Sequence, residues 1–144
     1  MIFFTQWSNL SFIYLFLYRE TIFFDCILLI HVHVSLVAFW FSWITPKRLL
    51  IPYVNMYMEE PVIQIVDILS HQIPTVIAWN YRRPKIVISK DYAVILYFIY
   101  VLFISLLGHS YVDLYNIDHY LFYLFYLIAT YIVNIKNYIS INKA

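Results

Sequence analysis

The sequence predicts an all-α fold, a multi-pass bundle of about five apolar transmembrane helices forming one integral membrane domain over residues 1–144. Three observations predict it. Hydrophobic residues make up 64% of the 144 and charged residues 12%, whereas a soluble domain carries about 25% charged residues, so there are too few charges here to cover a globule. Apolar runs close to the roughly 20 residues that cross a bilayer recur along the chain. One Gly and five Pro leave little turn material for a sandwich or barrel.

The expected spans are residues 2–18, 22–44, 62–79, 92–107 and 120–135, each about 16 to 23 residues long. No basic segment precedes the first, because the first charge is Arg19; it therefore reads as a retained helix and not as a secretory leader. The second is a mostly apolar run that ends before Pro46. Between the second and third lies the longest connection, with Pro46, Pro52 and the pair Glu59 and Glu60. The last two are short, and Tyr111, Tyr115 and Tyr138 in their flanks suit the aromatic belt at the headgroups. Positive residues mark the cytoplasmic side. Alternate loops place Arg19, Arg82, Arg83, Lys85, Lys90, Lys136 and Lys143 on one face against Lys47 and Arg48 on the other, which predicts a cytoplasmic C-terminus and an outward N-terminus. The compartment, endoplasmic reticulum or plasma membrane, is left open, as is the oligomeric state.

Net charge is +1, so there is no broad basic surface for nucleic acid. The lone Cys26 excludes an internal disulfide and a multi-cysteine zinc site, and reads as inert packing. His31 and His33 are two residues apart and point about 160° apart on a helix, a poor arrangement for sharing an ion. No metal or cofactor is expected, and the partner that composition implies is the lipid bilayer.

Polar residues within apolar spans mark the faces turned away from lipid. In the third span Gln64, Asp67, His71 and Thr75 fall within about 80° of one another at helical periodicity. Asp67 lies one turn before His71, where a carboxylate can hold an imidazole in one tautomer. Pro74 removes the hydrogen bond to the Ser70 carbonyl and predicts a kink. Thr5, Ser8 and Asn9 share a face of the first span, and Tyr123, Tyr126, Thr130 and Asn134 form a third polar face predicted to line the same interior. Measured from Arg19 and Arg82, the depths of Thr5 and His71 differ by about 5 Å. A contact between them is therefore possible. The structural reading of such residues is interhelical hydrogen bonding, and for His109, His119, Asp113 and Asp118 it is solvation near the headgroups.

The segments "FFTQWSNLSF", "LVAFWFSWITPKRLLIPYVNMYMEEPVIQIVDILSHQIPTVI" and "SLLGHSYVDLY" resemble the androgen-induced family of multi-pass membrane hydrolases, which includes the androgen-dependent regulator of tissue factor pathway inhibitor and is distantly similar to rolling stone proteins. The resemblance implies an intramembrane hydrolase of fatty acid esters of hydroxy fatty acids, with Thr5 as the nucleophile and His71 as its base. Asp67 would orient the ring. The family has six spans with both termini cytoplasmic, so the resemblance implies that a first helix is missing before Met1, in a truncated or inactive relative. The competing expectation is a non-catalytic membrane scaffold or regulator. A proton-relaying transporter is a third reading, opposed by the single Gly and the lack of a duplicated broken helix.

Overall fold

The computed structural model describes residues 13, 17, 22–44, 49–51, 56–81, 88–106 and 117–142. Helix α1 (Ile22–Phe39) contains neither Gly nor Pro and passes directly into a π turn, Trp40–Ile44. Two three-residue strands follow, β1 (Leu49–Ile51) and β2 (Met56–Met58), paired antiparallel in the register Leu49↔Met58, Leu50↔Tyr57, Ile51↔Met56. This small ladder was not anticipated from sequence. Its residues are apolar or aromatic on both strands, which suits a pleated pair.

Helix α2 (Glu60–Asp67) opens with Pro61 in its first turn, where the missing N–H loses no helical bond. The N–H groups of Val62 and Ile63 donate to the Glu59 carbonyl. A second π turn, Ile68–Gln72, joins it to α3 (Ile73–Tyr81). The Ile73 N–H donates to Ile68 O, five residues back, so the hydrogen-bond register slips by one residue just before Pro74, the position that has no N–H to give. Helix α4 (Lys90–Leu106) is capped by Ser89, whose hydroxyl accepts the Tyr92 N–H at 3.2 Å. Helix α5 (His119–Asn142) is capped by Asp118, whose carboxylate accepts the Leu121 N–H at 2.7 Å. Asp118 thus has a structural task beyond solvation.

Helix α1 is central, packed against α5 on one side and against α2, the second π turn and α3 on the other. One core cluster joins Leu28, Leu29 and Val32 of α1 to Ala78, Ala93, Tyr126, Ala129 and Val133; a second joins Val37 to Tyr100, Ile117 and Phe122. Outside this core the surface is apolar. Val62, Ile65, Leu69, Ile73 and Val76 project outward from the α2–α3 rod, and Ile95, Phe98, Ile99 and Leu102 from α4.

Among the described residues two helical rods are long and apolar enough to cross a membrane by length and composition, Asp25–Ile44 with 20 residues and Glu60–Asn80 with 21. The first is 56% buried inside the protein and the second 17%, so the second presents most of its surface outward. The expected spans at 92–107 and 120–135 coincide with helices whose apolar lengths are shorter: α4 has 17 residues, and the apolar part of α5 is His119–Ile135. The expected span 2–18 lies outside the described residues except for Ile13 and Leu17, both helical and exposed.

Candidate functional site

The polar residues of the α2–α3 rod converge on α1. Asp67 ends α2 with its side chain 1% exposed, and a carboxylate at such a position requires hydrogen-bond donors. It has two neutral ones. Trp43, carried round by the first π turn, donates its indole N–H to Oδ2 at 3.0 Å, and the Gln72 amide lies 3.2 Å from both carboxylate oxygens. The same amide donates to the Ser35 carbonyl at 2.9 Å, so Gln72 ties the carboxylate to α1. Gln64 reaches the Ser42 carbonyl at 3.4 Å and Glu60 at 3.3 Å.

His71 stands one turn beyond Asp67, its Nδ1 3.4 Å from Asp67 Oδ1. The two atoms are close enough to form an ion pair when the ring is protonated, but their alignment does not make a hydrogen bond, and Nδ1 is buried without a hydrogen-bond partner among the described residues. The His71 side chain retains 12% exposure, enough for an approach from outside the seam. Below it, the Ser35 hydroxyl donates to the His71 carbonyl at 3.0 Å. A hydroxyl has one hydrogen, so the 2.6 Å link between Ser35 Oγ and Thr75 Oγ1 has Thr75 as its donor. The result is a continuous polar seam from Trp43 and Asp67 to Thr75, enclosed by apolar helix surfaces.

Of the sequence-predicted site residues, Asp67 and His71 are neighbours in this seam. Thr5 lies outside the described residues, as do Ser8, Asn9, His109 and Asp113. Gln72, Trp43 and Ser35 were missed. At 100° per residue Gln72 falls off the face shared by Asp67 and His71; within a π turn the residue five positions on comes round to the same side. The signal for this was Pro74, which stands just after the register slip.

The third polar face does not join the seam. Tyr126 donates its hydroxyl to the Ala93 carbonyl at 2.6 Å, Thr130 bonds back to the Tyr126 carbonyl at 3.0 Å, and Asn134 pairs with both the N–H and the C=O of Ile88 at 2.9 Å. These residues fasten α5 to the start of α4, and Tyr123 is exposed. His31 and His33 are both buried; His33 Nε2 contacts the Phe122 carbonyl at 3.0 Å, and its ring meets Tyr100, Phe122 and Tyr126 edge-on. Cys26 Sγ lies 2.9 Å from the Tyr92 hydroxyl. Among the described residues no group of three or more His, Cys, Asp or Glu side chains is arranged to hold a metal ion.

No family model, curated protein or solved structure matches this chain.

Proposed function

We propose that this chain is a multi-pass membrane protein with a cytoplasmic C-terminus, and that it hydrolyses lipid esters within the membrane in the manner of the androgen-induced hydrolases it resembles. The observation that carries the reading is the placement of His71 Nδ1 3.4 Å from the buried Asp67 carboxylate, on a rod whose other faces are apolar. Ionisable residues inside a membrane segment mark function by default. In this reading His71 is the base, Asp67 its orienting carboxylate, and the apolar faces of the rod the approach for an acyl chain.

In this reaction the Thr5 hydroxyl attacks the ester carbonyl while His71 Nε2 takes its proton, forming a tetrahedral oxyanion. Collapse expels the alkoxide, which receives that proton, and leaves an acyl-threonine. Water, deprotonated by the same ring, releases the fatty acid and restores the hydroxyl. In this scheme Asp67, 3.4 Å from Nδ1, closes to hydrogen-bond reach as the ring takes the proton and stabilises the imidazolium, as the carboxylate does in other triads.

The test is hydrolysis of a fatty acid ester of a hydroxy fatty acid by purified protein in lipid. Thr5→Ala and His71→Ala are each expected to abolish turnover at unchanged helicity, and the double substitution is expected to be no worse than either. Activity that survives Thr5→Ala would refute the scheme. The second reading, a non-catalytic scaffold, is favoured by one observation: Trp43 and Gln72 engage the Asp67 carboxylate, as a purely structural clasp between two helices would. A folded protein inert toward every ester supplied would favour that reading.

A further inference from the structure

We infer that Gln72 and Trp43 are positioning residues that fix the Asp67 carboxylate so that it commits the His71 ring to one tautomer, with the hydrogen on Nδ1 and the free lone pair on Nε2. The kinetic part of this inference rests on the hydrolase reading; the tautomer itself does not.

Asp67 Oδ2 is engaged by the Trp43 indole at 3.0 Å, and the Gln72 amide lies 3.2 Å from both oxygens. The carboxylate is therefore gripped from α1 and from its own rod. Each donor has a second contact. Trp43 stacks on Phe39 with ring planes 22° apart, and the Gln72 amide is held by the Ser35 carbonyl as well as by Asp67. With the carboxylate so fixed, the oxygen turned to His71 is Oδ1, 3.4 Å from Nδ1. The two atoms are not aligned for a hydrogen bond, but a carboxylate at that distance repels a lone pair on Nδ1 and favours a hydrogen there, which leaves Nε2 to act as the base.

The π turn makes this possible. In an uninterrupted α-helix only the residue at i+4, His71, would lie beside Asp67, and Gln72 would be rotated a further 100° away. The slip of one residue before Pro74 brings positions i+4 and i+5 to the same carboxylate. One acidic side chain thereby receives both the ring that it orients and the amide that holds it still.

The experiment uses full-length protein in nanodiscs with 15N-labelled histidine, the His71 ring signals being assigned by their loss in His71→Gln. In the wild-type protein the neutral ring is expected to be almost wholly the Nδ1–H tautomer. Gln72→Met, which keeps length without a donor, and Trp43→Phe, which keeps the stacking ring without the indole N–H, are each expected to give a mixture with the Nε2–H tautomer. For a protein that turns over ester, each variant is expected to lower kcat about 10- to 100-fold, the usual scale for partners of a ligating or reacting histidine, with KM little changed. Trp43→Phe is the milder change and keeps the test open if Gln72→Met does not fold. An unaltered tautomer in both variants would overturn the inference, whatever the kinetics. A shifted tautomer in a protein that hydrolyses no ester would leave the positioning role standing and remove the hydrolase reading.

Discussion

The hydroxyl pair between α1 and α3 offers a quantitative test of the seam. The Ser35 hydroxyl takes part in two interhelical hydrogen bonds, giving one to the His71 carbonyl at 3.0 Å and accepting one from Thr75 at 2.6 Å. Hydrogen bonds between membrane helices are worth about 0.6 kcal/mol on average and at most about 1.7. Ser35→Ala removes both and is expected to destabilise the protein by roughly 1.2 kcal/mol. Thr75→Val removes only the shared bond, for roughly 0.6 kcal/mol, with little change in shape. The double variant should then cost about as much as Ser35→Ala alone, a coupling of about 0.6 kcal/mol. Reversible unfolding in mixed micelles, followed by circular dichroism for the four proteins of the cycle, measures all these quantities. Strictly additive single effects would refute the direct hydroxyl pair and the donor assignment drawn from it.

Three further outcomes are expected. Asn134→Leu leaves the N–H and C=O of the buried Ile88 without their side-chain partners; at about 1 to 3 kcal/mol per unsatisfied group it should cost more than either hydroxyl substitution in the same assay, and a loss below about 1 kcal/mol would contradict that pairing. Pro74→Ala restores an N–H in the helix and should let the π turn relax toward α-helical register, withdrawing Gln72 from Asp67; in a structure of the variant, an intact Gln72 contact would show that proline does not hold the slip. A C-terminal tag should be protected in sealed cells, and a cysteine placed at Asn55 should be labelled from outside, whereas labelling from the cytoplasm would reverse the proposed orientation.

Much of the candidate site was legible because helical spacing is a local property. Gln64, Asp67, His71 and Thr75 were assigned to one face, and Asp67, His71 and Thr75 all engage or closely approach other members of the seam, with Gln64 reaching the first π turn at Ser42. What was not legible depends on the partner helix. Ser35 shares a helical face with His31 and Ser42, but nothing in that neighbourhood, or in that of Trp43, indicates which carbonyl or carboxylate they meet. The polar face of α5 was read correctly as a set of hydrogen-bonding groups but assigned to the wrong neighbour, since Tyr126 and Asn134 satisfy the backbone of Ala93 and Ile88. The ladder at Leu49–Ile51 was missed because three residues per strand are too few to show an alternating pattern.

A π turn is a helix holding one residue more than its register requires, and the turn at Ile68–Gln72 therefore makes that stretch tolerant of a change in chain length. Deleting a single residue there would let the rod close into plain α-helix while Thr75 and Ala78 kept their places against α1. The same deletion in the middle of α4 or α5 would rotate everything beyond it by about 100°, turning Tyr100 or Val133 out of the core. Among relatives of this chain, one-residue length differences in the membrane rods would accordingly collect at the two π turns, and a relative shortened at Ile68–Gln72 would keep its interhelical packing and lose the grip of Gln72 on Asp67.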